Sequence, residues 1–129
     1  MSTNTVGAIV WTDLTVPNAD QIRDFYSAVV GWTATAHDMG EYADYEMTLP
    51  GDVSEDDRPV TGICHARGMN ANIPAQWMIY ITVPDLDQAM AQCQALGGRI
   101  VVGPTSLGGT QRSCIIQDPA GAVATLITA

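Results

Sequence analysis

Residues 14–32, LTVPNADQIRDFYSAVVGW, and residues 81–99, ITVPDLDQAMAQCQALGGR, align without a gap at an offset of 67. Seven of the nineteen pairs are identical (Thr, Val, Pro, Asp, Gln, Ala and Gly), where average amino-acid usage would give about one. The identities fall at a strand end, a helix start and a closing glycine, so the chain carries a duplicated module.

Working outward, each copy opens with an apolar strand (residues 8–16 and 77–83) stopped by Pro17 or Pro84, whose missing N–H suits a strand end. Asn18 with Gln21 and Asp85 with Gln88 are spaced as N-cap and N3 residues, and predict helices over 18–30 and 85–96. Ile22, Phe25, Tyr26 and Val29 recur at helical spacing, as do Leu86, Ala89, Cys93 and Leu96. Gly31 and Gly97-Gly98 supply the left-handed stops.

Three extended segments follow each helix: 33–36, 44–49 and 60–66 in the first copy; 99–102, 112–117 and 122–128 in the second. Asp118-Pro119-Ala120-Gly121 reads as a four-residue turn. Its counterpart at 50–59 is longer, and GDVSEDDRP within it reads as a solvated loop. Two βαβββ modules (6–66 and 76–128) joined by a linker at 67–75 make one domain over 1–129. A single such unit cannot cover both faces of its sheet. The expected fold is therefore α+β: one strongly curved eight-stranded mixed sheet, a cup, with the helices outside. Whether modules pair within or between chains stays open.

The composition narrows the partners. A formal charge of -9 repels phosphate backbones and anionic membrane surfaces, so neither nucleic acid nor membrane is expected. No apolar run approaches the ~20 residues that span a bilayer, and MSTNT lacks the basic and apolar regions of a signal peptide, which places the expectation in the cytoplasm. Three cysteines without a CxxC or Cys/His cluster suggest neither a disulfide framework nor a zinc site. Unpaired sheet edges and apolar surface make a homodimer the expected assembly.

The chain resembles the vicinal oxygen chelate superfamily, which includes glyoxalase I, bleomycin-binding proteins and extradiol dioxygenases. The carriers are Phe25-Tyr26 ahead of Gly31-Trp32, the run VPDLDQA…ALGGRIVVGPT, and Asp118-Pro119-Ala120-Gly121-Ala122. Metal-dependent members place His and Glu ligands on the first and last strands of each module. Aligned on the shared motifs, those places hold Trp11, Gly62, Met78 and Thr125. None suits a divalent ion that wants imidazole or carboxylate, so no metal and no cofactor are expected. The chain's two histidines, His37 and His65, fall outside those places and read as surface or edge imidazoles.

Strand alternation, with Trp11 set inward, assigns the cup face. Trp11 and Asp13 on the first strand and Met78 and Tyr80 on the fifth face the cup; Val10, Leu14 and Val16 face the helix. A four-residue turn at 118–121 would set Cys114 opposite Thr125, turning Arg112, Cys114 and Thr125 inward, and by the repeat Tyr45 and Met47. Asp13 and Arg112 would then be placed to pair, with Cys114 as inert packing. This lining of aromatic, thioether and few polar groups fits a small-molecule pocket. The leading expectation is a metal-independent protein that holds an apolar or aromatic ligand. The alternatives are a lyase or isomerase with Asp13 as acid–base catalyst, and a metal-dependent, dioxygenase-like enzyme.

Overall fold

Both capped segments are helical in the computed structural model, which describes residues 5–50 and 59–128. The acidic loop at 51–58 lies outside the described residues. The element order is β1 (Ile9–Val16), α1 (Ala19–Val30), β2 (Thr33–Asp38), β3 (Ala43–Thr48), β4 (Pro59–His65), β5 (Trp77–Thr82), α2 (Leu86–Ala95), β6 (Arg99–Gly108), β7 (Gln111–Gln117) and β8 (Val123–Ile127). These eight strands form a mixed sheet and, with two helices, the α+β class that the repeat predicts. Two compact units share them: Thr12–Trp77, and the residues up to Trp11 with Met78 onward.

In the first unit the hydrogen-bonded order is β2-β3-β4-β1. Strands β1 and β4 run parallel with Asp13 opposite Gly62 and Leu14 opposite Ile63. Leu14, Val16, Tyr45, Met47 and Ile63 form the core with Ala19 of α1, and Ile22, Tyr26 and Trp32 pack against it. Met47 and Ile63 are fully buried, each contributing about 1.5–3 kcal/mol of apolar transfer.

In the second unit the order is β1-β5-β8-β7-β6, β1 entering through its first residues. Strands β5 and β8 are parallel with Tyr80 opposite Thr125 and Ile81 opposite Leu126. This repeats the first unit's pairing: Asp13 becomes Tyr80 at +67 and Gly62 becomes Thr125 at +63, the second copy being four residues shorter between the paired positions. Leu86, Cys114 and Leu126 make the core beneath α2, with Ile81, Val83, Met90 and Ile116 packed against it. A Cβ at Gly98 would lie 2.6 Å from Cys93 Sγ and 2.9 Å from the Gln117 carbonyl, so only glycine lets β6 start so close behind α2.

The two helix starts differ. The Asp85 carboxylate accepts the Gln88 backbone N–H at 3.0 Å, the expected cap. Asn18 makes no side-chain cap; its amide instead donates to Gln21 Oε1 at 3.0 Å. Truncating Asp85 to Ala should therefore lower stability by about 1 kcal/mol, while Asn18→Ala should cost less than half as much. Urea denaturation midpoints at constant slope measure both.

Candidate functional site

The turn after β7 is one residue longer than the sequence suggests, and this relocates several expected site residues. Asp118 N–H donates to the Ala122 carbonyl at 2.8 Å, and its carboxylate accepts the N–H groups of Ala120 (2.8 Å) and Ala122 (3.0 Å). Gly121 takes φ 95° to close this turn, which spans the five residues 118–122 between paired Gln117 and Val123. Cys114 consequently pairs with Leu126, and Ile115 with Thr125. A slip of one residue turns every β7 side chain over.

Arg112 and Cys114 are thus on the α2 side of the sheet, not on the face expected for them. Cys114 is 2% exposed in the core below the helix. Arg112 Nη2 meets Asp87 of α2 at 3.1 Å, an exposed pair worth at most about 1 kcal/mol. The first unit shows the same correction. Tyr45 lies opposite Ile63, its hydroxyl donates to Asp20 of α1 at 2.5 Å, and Arg23 of α1 covers its ring at 4.6 Å. Tyr45 and Met47 therefore belong to the helix-side core. The hydrogen bond to Asp20, then burial, raises the Tyr45 phenol above its ordinary value.

The opposite face of the second unit keeps Met78, Tyr80 and Thr125 together. Tyr80 and Thr125 are directly paired, and Met78 shares the Tyr80 face of β5. Met78 and Thr125 are each 3% exposed. Thr125 Oγ1 is buried and, among the described residues, has no hydrogen-bond partner. Other buried threonines differ: Thr61 Oγ1 donates to the Thr12 carbonyl at 2.7 Å, Thr48 to Thr33 at 3.1 Å, and Thr82 to the carbonyls of Thr5 and Ala8. Trp11 is half-buried on β1.

On the corresponding face of the first unit, Asp13 and Glu46 both pair across Gly62. Two carboxylates flank a residue without a side chain, and a Cβ at Gly62 would meet only ordinary contacts, Asp13 Cβ at 3.5 Å among them. Glu46 is absent from the cup lining expected from the sequence, although the alternation in Ala43-Asp44-Tyr45-Glu46-Met47 separates an acidic edge from an apolar one. Cys64 lies beside Gly62; burial first, then the charges of Asp44 and Asp13, push its thiol up to about 12. Burial likewise raises Cys114 to about 11.

His65 is on the helix side, only 13% of its side chain exposed rather than at the surface, with Nδ1 2.8 Å from the Ala43 carbonyl and Nε2 3.6 Å from Asp20. His37 is exposed on β2, as expected. A groove of about 330 Å³, which the sequence does not signal, lies in the first unit against Ile22, Phe25, Tyr26, Gln76 and Trp77, over Leu14 and Val16. Trp77 Nε1 donates to the Tyr26 hydroxyl at 3.2 Å on its rim.

Among the described residues, no three His, Cys, Asp or Glu side chains converge to hold a metal ion. The indole, hydrogen, thioether and hydroxyl at Trp11, Gly62, Met78 and Thr125 do not fit a divalent catalytic ion. No described helix is long and apolar enough to cross a membrane.

A duplicated βαβββ chain with parallel β1:β4 and β5:β8 pairs defines the structural class. The chain matches the model of the Glyoxalase/Bleomycin resistance protein/Dioxygenase superfamily over residues 8–125, and it belongs to that superfamily. It is 28% identical over 120 residues to a Mycobacterium tuberculosis protein named as a glyoxylase, CFP32, covering 93% of this chain and 43% of the relative. It is also 28% identical over 123 residues to the anthracycline biosynthesis protein DnrV of Streptomyces peucetius, covering 90% and 45%. The chain spans less than half the length of these curated relatives. Similar solved structures include a Streptomyces coelicolor methylmalonyl-CoA epimerase variant in complex with 2-nitronate-propionyl-CoA, with TM-score 0.56, 15% identity and coverage of 97% and 99%. A superfamily member from Vibrio splendidus 12B01 gives TM-score 0.58 at 13% identity, covering 95% and 100%. At such identities the likeness shows the fold alone.

With thiols near 12 and 11, Cys64 and Cys114 hold only about 0.01% and 0.1% thiolate at pH 8. Both should resist a thiol-specific disulfide reagent in the native protein and react on unfolding, which a time course of released chromophore with and without urea will measure.

Proposed function

We propose that this chain is a metal-independent small-molecule-binding member of its superfamily, holding an apolar or aromatic ligand on the sheet face of Met78, Tyr80 and Thr125. The observation that carries this reading is the buried Thr125 hydroxyl, unpartnered among the described residues, on a sheet face it shares with buried Met78. A buried hydroxyl left unpaired costs about 1–3 kcal/mol, and a ligand that supplies its partner recovers that cost. Trp11 is retained in the proposal as a further contact from the first residues of β1, which belong to the same unit. Arg112, Cys114, Tyr45 and Met47 are not, because they face the helices. Structural neighbours solved with acyl-CoA derivatives support a ligand-binding role for the fold.

A second reading has its own observation. Asp13 and Glu46 flank Gly62 on one sheet face, an arrangement able to take and return a proton. Under that reading the chain is a lyase or isomerase with Asp13 as base. Turnover abolished by Asp13→Asn with ligand affinity unchanged would favour it over simple binding.

Thermal shift across a library of apolar and aromatic compounds tests the leading reading. A ligand at a hundredfold excess over Kd should add about 2.7 kcal/mol of stability. The shift should vanish in Met78→Ala and persist in Arg112→Ala. A hit lost in Trp77→Ala but retained in Met78→Ala would move the site to the α1 groove and defeat the proposal.

We also propose a homodimer. Phe25, Val29 and Val30 expose apolar surface on α1 (51%, 61% and 49%), more than a solvated helix face needs. Sedimentation equilibrium at micromolar concentration should return twice the chain mass; a strict monomer would count against the proposal.

A further inference from the structure

We infer that the Thr125 site selects an uncharged ligand, one with an apolar body and a carbonyl or hydroxyl oxygen that accepts a hydrogen bond from Thr125 Oγ1. This inference rests on the ligand-site reading above and adds the chemical class. Alternation and register set the composition of the face away from α2: Met78, Tyr80 and Thr82 on β5, Ser113, Ile115 and Gln117 on β7, and Val123, Thr125 and Ile127 on β8. None of the nine is an acid or a base at neutral pH, Tyr80 being a phenol. The arginines of β6 and β7 are both already paired, Arg99 on this same face through its cross-strand partner Gln117. Arg112 lies on the other face against Asp87 at 3.1 Å, and Arg99 on β6 donates to Gln117 Oε1 at 2.6 Å.

An anionic group brought to Thr125 would lose its hydration and, among the described cations, could gain on this face only Arg99, already bonded to Gln117, a larger cost than one hydroxyl hydrogen bond offsets. The chain's charge of -9 adds to that exclusion. A neutral oxygen meets no such barrier and satisfies the orphaned hydroxyl. Thr82 shares this face and donates to backbone carbonyls, whereas the buried Thr125 Oγ1 has no partner among the described residues. Valine has nearly the same shape and needs no partner, so packing and strand propensity alone would be served as well by Val at 125. The hydroxyl is accounted for by something it binds.

The test is isothermal titration of wild type and Thr125→Val with three probes of one shape: naphthalene, 2-acetylnaphthalene and 2-naphthoate. Wild type should bind the ketone about tenfold more tightly than the hydrocarbon, the worth of one hydrogen bond to a desolvated hydroxyl, and should bind the carboxylate most weakly. Thr125→Val should lose the tenfold preference and keep its naphthalene affinity. Its urea midpoint should be equal to that of wild type or higher. A ketone preference that survives in Thr125→Val, or 2-naphthoate binding more tightly than the ketone, would overturn the inference. So would a Thr125→Val protein with a clearly lower urea midpoint, since the hydroxyl would then already be paired within the fold. Failure of both proteins to bind any of the three probes would instead overturn the ligand-site reading on which the inference stands.

Discussion

The Asp118 carboxylate decides which side of the sheet each β7 side chain occupies. By accepting two backbone N–H groups, from Ala120 and Ala122, it satisfies donors that a tight turn would leave pointing at nothing, and Gly121 supplies the positive φ that closes the loop. Five residues (118–122) between the paired Gln117 and Val123, instead of the four of the expected turn, set Cys114 against Leu126. Cys114 and Ile116 are then available to fill the space below α2, and Ser113, Ile115 and Gln117 are left for the other face. The composition of that face depends on this register.

The same division of labour appears in each unit. Side chains alternating with Leu14 and Ile63 in one, and with Ile81 and Leu126 in the other, are the ones not needed for packing a helix. Released from that duty, the two copies have taken different chemistry at equivalent pairs: Asp13 with Gly62, and Tyr80 with Thr125. One pair offers a carboxylate beside an empty position, with Glu46 across it. The other offers a phenol beside a hydroxyl in apolar surroundings. Neither offers the imidazole and carboxylate set that a divalent ion requires.

What the sequence made legible follows from the kind of signal involved. The helices, their apolar faces and the Asp85 cap were readable because each rests on contacts a few residues apart. The equivalence of the two modules was readable through the repeat, since residues 67 apart in the aligned runs occupy equivalent places. The face of β7 was not readable, because Arg112-Ser113-Cys114-Ile115-Ile116-Gln117 has apolar residues in both registers and the turn alone decides between them. That single residue of turn length, carried through the repeat, also misplaced Tyr45 and Met47, although the alternation of acidic and apolar residues in β3 argued for the arrangement that forms. Asn18 shows a different limit: a residue suited to capping can bond its neighbour's side chain instead. The groove beside Trp77 depends on residues from α1 and the linker meeting in space, which no local pattern encodes.

The unpartnered hydroxyl gains its meaning from its neighbours rather than from its own burial. A lone buried threonine without a partner could be a tolerated defect, since about 1–3 kcal/mol is affordable only within a total stability of roughly 5–15 kcal/mol. Here Thr48, Thr61 and Thr82 are all buried on the same sheet architecture and all donate to backbone carbonyls. The fold therefore has an ordinary way to satisfy a buried threonine, and Thr125 departs from it. It does so at the place equivalent to Gly62, where the first copy has removed its side chain altogether. In both copies the last strand has withheld bulk and internal bonding at the same position, one by deletion and one by leaving a donor unspent. A strand serving only the core would have had no reason to do either.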